Sequence, residues 1–280
     1  MKSKFKNNYT AIHQKIISLL LAVAILFGSN FIFSTSTAKV QAATVSNDLE
    51  VTRLTTEVNN DTITERIAIK LKDDSVSANN NSSVSAPIIY LNVSISGDSV
   101  GTIKGTITCI GGRPNNTSIN MSLQSRETRR SFTTKSSKNN LNFSYYKTIS
   151  STASTNNKTR VWRVYLTGKF LGNNLSYSTN YFLFNKKAMR YPSYYEPYSG
   201  KKLWEPPTYL YADTTQRDPS FRSKYINNFK KTYPKSNINW SNYEIHHMQP
   251  LKYSGSNALS NGIALTKVQH KTVTKWWLYY

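Results

Sequence analysis

The chain has 280 residues, with 36 Lys and Arg against 14 Asp and Glu and a formal net charge of +22. That length allows a leader and one or two ordinary domains. The charge favours polyanions (nucleic acid, anionic lipid, anionic wall polymers), unless it only keeps a secreted protein soluble. A single cysteine, Cys109, excludes an intrachain disulfide.

Residues 1–15 carry Lys2, Lys4, Lys6 and Lys15 and no acid, an apolar run follows from Ile16 to Phe33, and Ala38 to Ala43 is a small-residue exit. This text predicts a secretory signal peptide over 1–42, cut near Ala42 or Ala43. The rival reading is an uncleaved anchor, since the run is nearly long enough to span a bilayer; Ser29 and Asn30 inside it favour cleavage. Secretion is therefore expected. The lack of disulfides suits export from a single-membrane bacterium. Residues 1–42 take five lysines and no acid with them, which leaves 31 basic and 14 acidic residues, a net +17.

From 43 to 184 the chain is rich in Ser, Thr and Asn and alternates with period two. The alternating sets are Ile67, Ile69 and Leu71; Ile89, Leu91, Val93 and Ile95; Ile103, Ile107 and Cys109; Ile119, Met121 and Leu123; Leu141, Phe143 and Tyr145; and Trp162, Val164 and Leu166. Turn-forming text separates them at 79–81, 111–115 and 173–174. Strands with one apolar face and no helical periodicity between them predict an antiparallel β-sandwich. Within it Cys109 reads as a small buried residue. With no histidine and few acids, this region is expected to be a spacer or a module that binds a cell-surface ligand.

Residues 185–212 interleave Lys186, Lys187, Arg190, Lys201 and Lys202 with Tyr191, Tyr194, Tyr195, Tyr198, Trp204 and Tyr209, and hold prolines at 192, 197, 206 and 207. Such proline density predicts an extended linker whose aromatics dock on a neighbour or stack on bases, docking being favoured. The remainder, 213–280, forms the last expected domain. Asp218 can cap a helix with Pro219 in its first turn, Phe221, Tyr225 and Phe229 share one face, and Pro234 stops it. Thr266 can cap a final helix that carries His270 one turn in and a buried stripe of Val273, Trp276 and Tyr280.

Outside the leader, the histidines are His246, His247 and His270, all within 25 residues. Adjacent residues of a strand point to opposite sides, so His246 and His247 can serve one site only where the strand bends or ends, and Pro250 just downstream fits such a break. Asn261-Gly262 supplies a turn back towards the final helix. Imidazoles from two separate elements can hold a divalent cation and leave positions open for water and substrate. The remaining histidine is free to act as a general base.

The segment Glu244-Ile-His246-His247-Met-Gln-Pro250, with Asn261 and His270 downstream, resembles the HNH endonucleases of the ββα-metal fold. The closest likeness is to colicin-type and related bacterial toxin nucleases. It covers roughly Glu244 to Trp277, about an eighth of the chain. The resemblance implies α+β architecture overall, with a small ββα-metal domain after the sandwich. It implies His246 and His270 as metal ligands, His247 as general base, Asn261 as the residue that braces the hairpin loop and orients His247, and Glu244 as a carboxylate that fixes its neighbours. The cofactor is expected to be one divalent ion. Thr274 stands where the three-histidine members carry a further ligand, which loosens the preference for Zn2+ and favours Mg2+ or Mn2+. The part of the chain from Lys186 holds 15 basic and 5 acidic residues. Lys252, Lys267, Lys271 and Lys275 are expected along a phosphate backbone, which predicts little sequence specificity. The expected function is a secreted DNA endonuclease, either scavenging or an antibacterial toxin with an immunity protein in its producer. The alternatives are a ribonuclease on the same fold and a surface-binding protein with an inert histidine site.

Overall fold

Apolar residues two apart share one face of a strand, so alternation in the first half of the chain becomes sheet. The computed structural model describes residues 49–59, 61–72, 88–112, 117–142 and 146–280. The leader expected at 1–42, the turns expected at 79–81 and around Pro114, and Phe143 and Tyr145 lie outside the described residues.

The first five-stranded antiparallel sheet runs β1 (Leu49–Asn59), β2 (Thr62–Leu71), β3 (Ile88–Gly97), β4 (Thr102–Gly111) and β7 (Thr148–Ser154). The second is ordered β10 (Phe182–Phe184), β8 (Arg160–Phe170), β5 (Ser118–Arg126) and β6 (Thr133–Asn142), with β9 (Asn173–Ser178) also paired to β8. The two sheets contribute to one apolar cluster: Ile67, Leu91, Ile103 and Ile107 from the first meet Met121, Leu123, Trp162 and Val164 from the second. Cys109 belongs to the same cluster, and burial raises the pKa of its thiol. A buried carboxylate also joins the sheets. Glu65 of β2 accepts from Arg53 Nε of β1 at 2.9 Å, from Tyr177 Oη of β9 and from the Asn180 backbone N–H at 2.8 Å.

The C-terminal region holds two helices and a hairpin, which makes the chain mostly antiparallel β with an α+β end. Helix α1 (Phe221–Thr232) buries Phe221, Tyr225 and Phe229 on one face. It starts later than its flanking text suggests. Ser220 is the cap residue, and Asp218 lies before the helix, where its Oδ1 accepts from Ser220 N and Ser220 Oγ. The hairpin pairs β11 (Tyr243–His247) with β12 (Gly262–Thr266). Helix α2 (Lys267–Trp277) follows at once, opened by a capping box in which Thr266 and Gln269 each accept from the other's backbone N–H.

Residues 185–212 are docked rather than free. Tyr191 and Leu203 are buried in a cluster that also holds Val161, Leu183, Ile263, Leu265, Val273 and Trp276. Tyr191 meets the Trp276 ring edge-on, with centroids 4.6 Å apart. Asn185 Nδ2 donates to the Trp276 carbonyl at 2.9 Å, and Trp276 Nε1 donates to the Met189 carbonyl at 2.8 Å. The segment therefore works as a strap: its apolar side chains complete the core on which α2 rests. Prolines suit it, because a strap needs extended backbone and few ladder N–H groups.

Candidate functional site

The hairpin register puts His246 opposite Ile263 and His247 opposite Gly262. Alternation then divides the two histidines between the hairpin's faces. His246 shares its face with Ile263 and Leu265, which pack with α2. His247 shares its face with Ile245 and Ala264, which pack with Phe221, Tyr225 and Phe229 of α1. Because His247 is the last residue of β11, it sits where the strand gives way to the loop.

Across the α2 face, the His246 and His270 rings lie 5.2 Å apart, edge to face. His246 is buried and its Nε2 has no hydrogen-bond partner among the described residues. A buried, unpaired polar atom is costly and calls for an explanation. Burial, with the neighbouring His270 and His247, pushes its pKa down to about 3, so the ring is neutral at physiological pH. Burial likewise lowers His270, with Glu244 opposing and Arg217 assisting.

On the α1 face, Phe221 stacks on His247 at 4.0 Å and 18°. The stack exists because residue 262 is glycine: a Cβ there would come within 2.7 Å of the Tyr225 ring and 3.0 Å of the Phe221 ring. Burial lowers the His247 pKa, the hydrogen bond to Asn257 opposes that shift, and the Arg217 charge adds to it. One guanidinium, Arg217, thus acts on His247 and on His270.

Asn261 holds the loop together. Its Oδ1 accepts from Gln249 N at 2.9 Å, and its Nδ2 donates to the carbonyls of Gln249 and Ser256 at 3.0 and 2.9 Å. The side chain that meets His247 is instead Asn257, whose Oδ1 lies 3.3 Å from His247 Nε2. Glu244 is half-exposed and 3.5 Å from Arg222, which also donates to the carbonyls of Tyr243 and Trp240. Lys252, Lys267, Lys271 and Lys275 are all exposed. Lys275 lines a cavity with Asp61, Asp98 and Tyr279, on the side of α2 towards the sheets. The part that Asn257, Arg217 and Phe221 play in the site escapes a reading of the sequence, because Arg217 and Phe221 precede the segment of resemblance and Asn257 lies in loop text within it. Only Phe221 carries a local signal, as part of an apolar helix face.

Among the described residues no three His, Cys, Asp or Glu side chains form a metal-holding group. His246 and His270 are a pair. The donor set still fits a divalent ion: two neutral imidazoles, one with an unsatisfied buried nitrogen, and open positions for oxygen ligands. Comparison of the chain with protein-family models, curated proteins and solved structures found no match.

Proposed function

We propose that the C-terminal region is an HNH-type, metal-dependent endonuclease on a ββα-metal scaffold, which hydrolyses phosphodiester bonds in DNA with little sequence specificity. The observation that carries this reading is the buried, unpartnered His246 Nε2 beside His270, at a hairpin–helix junction with His247 adjacent. The two N-terminal sheets would form a β-sandwich that binds a surface ligand, and residues 1–42 would direct secretion.

His246 and His270 would hold the ion, which when bound neutralises phosphate charge and stabilises the departing 3′-oxygen. His247, neutral at physiological pH, takes a proton from water as its oxygen attacks phosphorus. The P–O3′ bond breaks, the 3′-oxygen leaves with the bonding pair and takes a proton from solvent to become a 3′-hydroxyl, and a 5′-phosphate end is released. Phe221 holds the plane of the His247 ring, and Asn261 holds the loop beside it. Arg217, Lys252, Lys267 and Lys271 supply positive charge for the phosphate backbone without reading bases.

The test is cleavage of plasmid DNA and of structured RNA by purified protein with Mg2+, Mn2+, Zn2+ or EDTA, alongside His247→Ala. A general base of this kind contributes ~10²–10⁴-fold, so His247→Ala is expected to lose that much rate and to keep metal binding. Preference for RNA would assign a ribonuclease on the same scaffold. No cleavage with any metal would retire the enzyme and leave a surface-binding protein.

A further inference from the structure

We propose that Asn257 is a positioning residue that fixes the tautomer of His247, so that Nε2 carries the proton and Nδ1 is the atom that accepts one from water. The inference rests on the nuclease reading for its catalytic meaning and on hydrogen-bond geometry for its substance.

Two contacts independently set which way the Asn257 carboxamide points. Its nitrogen lies 2.7 Å from the Gln216 carbonyl, which can only accept, so that atom is Nδ2. Its other end lies 3.2 Å from the Asp218 backbone N–H, which can only donate, so that atom is Oδ1. Oδ1 is then the group that faces His247 Nε2 at 3.3 Å. An acceptor facing an imidazole nitrogen requires N–H there. A neutral ring with hydrogen on Nε2 has its lone pair on Nδ1.

The ring plane is fixed separately by the Phe221 stack at 4.0 Å. With plane and tautomer both set, the Nδ1 lone pair has one direction. Both supports come from the same stretch of chain. Gln216 and Asp218 precede α1 and hold Asn257, and Phe221 opens α1 and holds the ring. The entry into α1 therefore orients a base that sits on the hairpin.

A purely structural Asn257 would only tie the loop to Gln216 and Asp218. Asn257→Ala removes all three bonds, whereas Asn257→Asp keeps an acceptor for His247 Nε2–H and for the Asp218 N–H and loses only the donor to Gln216. The experiment is long-range 1H–15N correlation of the histidine rings at pH 8 in chelator, with backbone spectra to confirm the fold. Wild type is expected to show His247 with a slowly exchanging proton on Nε2 and a bare Nδ1. In Asn257→Ala that protection is lost, and Asn257→Asp retains it. A bare Nε2 in wild type, or the same exchange in wild type and Asn257→Ala, overturns the proposal, as does an Asn257→Asp that behaves like Asn257→Ala. On DNA, kcat is expected to fall roughly 10–100-fold in Asn257→Ala with KM little changed, and to recover in Asn257→Asp. A wild-type protein with the protected Nε2–H that cleaves nothing would refute the nuclease reading and still uphold the tautomer assignment.

Discussion

At the scale of single residues, His246 is a base that the fold keeps unprotonated. Its folded pKa of about 3 lies below the ordinary imidazole value of 6.5. Above pH 6.5 the ring is neutral in both states and contributes no pH dependence. Below it the unfolded chain takes up a proton that the fold refuses, so stability falls as pH drops from about 6.5 towards 3. In chelator, this group gives at most about 1.4 kcal/mol of loss per pH unit, and His246→Phe is expected to flatten that part of the urea-midpoint profile. Divalent metal at pH 7.5 should stabilise wild type by about 2.7 kcal/mol at a hundredfold excess over Kd, and not His246→Phe. Thermal melts with and without metal check this, and equal shifts in both proteins would exclude His246 as a ligand. The histidine trio is legible in the sequence because three rare side chains fall within 25 residues. Asn257 and Arg217 are not, because polar residues in loop text carry no period and gain meaning only from what folds against them.

Elements meet at the site through one glycine. The α1 face presents Phe221 and Tyr225 to β12 at position 262, where nothing larger than hydrogen fits. Gly262→Ala forces those rings away and is expected to cost about 1–3 kcal/mol by overpacking. It should also release the His247–Phe221 stack, seen as faster ring-proton exchange at His247. Urea unfolding measures the first effect; unchanged stability would mean that α1 can retreat freely. Elements with clean alternation, such as β3, are readable from sequence because each inward residue is apolar. Strand β1 is not. Arg53 is paired in the register beside a bulge, and its guanidinium turns to the buried Glu65, so a charge occupies a place where the pattern calls for an apolar side chain. The start of α1 is misjudged for a related reason. Asp218 bonds to Ser220 and to Lys224 instead of capping the first turn, and the helix begins after it.

For the whole molecule, the boundary suggested at 213 divides a core. Ile263, Leu265, Val273, Trp276 and Tyr280 lie on one side of it; Val161, Leu183, Tyr191 and Leu203 lie on the other, in the same cluster. Polar contacts cross the same line. Glu196, buried in the strap, accepts from Ala264 N of β12 at 2.7 Å and from Tyr225 Oη of α1. Lys201 Nζ donates to the carbonyls of Ser260 and Gly262 at 2.8 and 2.6 Å, and Tyr280 Oη donates to the Pro207 carbonyl at 2.7 Å. Residues 213–280 expressed alone would leave the Trp276 indole without its acceptor and Ala264 N without its carboxylate. Each such orphaned group costs about 1–3 kcal/mol, and a 68-residue piece has little stability in reserve. The fragment is expected to show no cooperative urea transition and weak near-ultraviolet circular dichroism. Residues 185–280 restore the strap and should regain part of both signals, since of the buried residues described in the cluster only Val161 and Leu183 remain missing, with Phe132 beside them. A fragment 213–280 that unfolds cooperatively at the midpoint of the full chain would show that the strap is dispensable. A strap that is needed instead makes the sheets and the histidine site one folding unit, in which a change at Glu196 reaches β12 and α1 together.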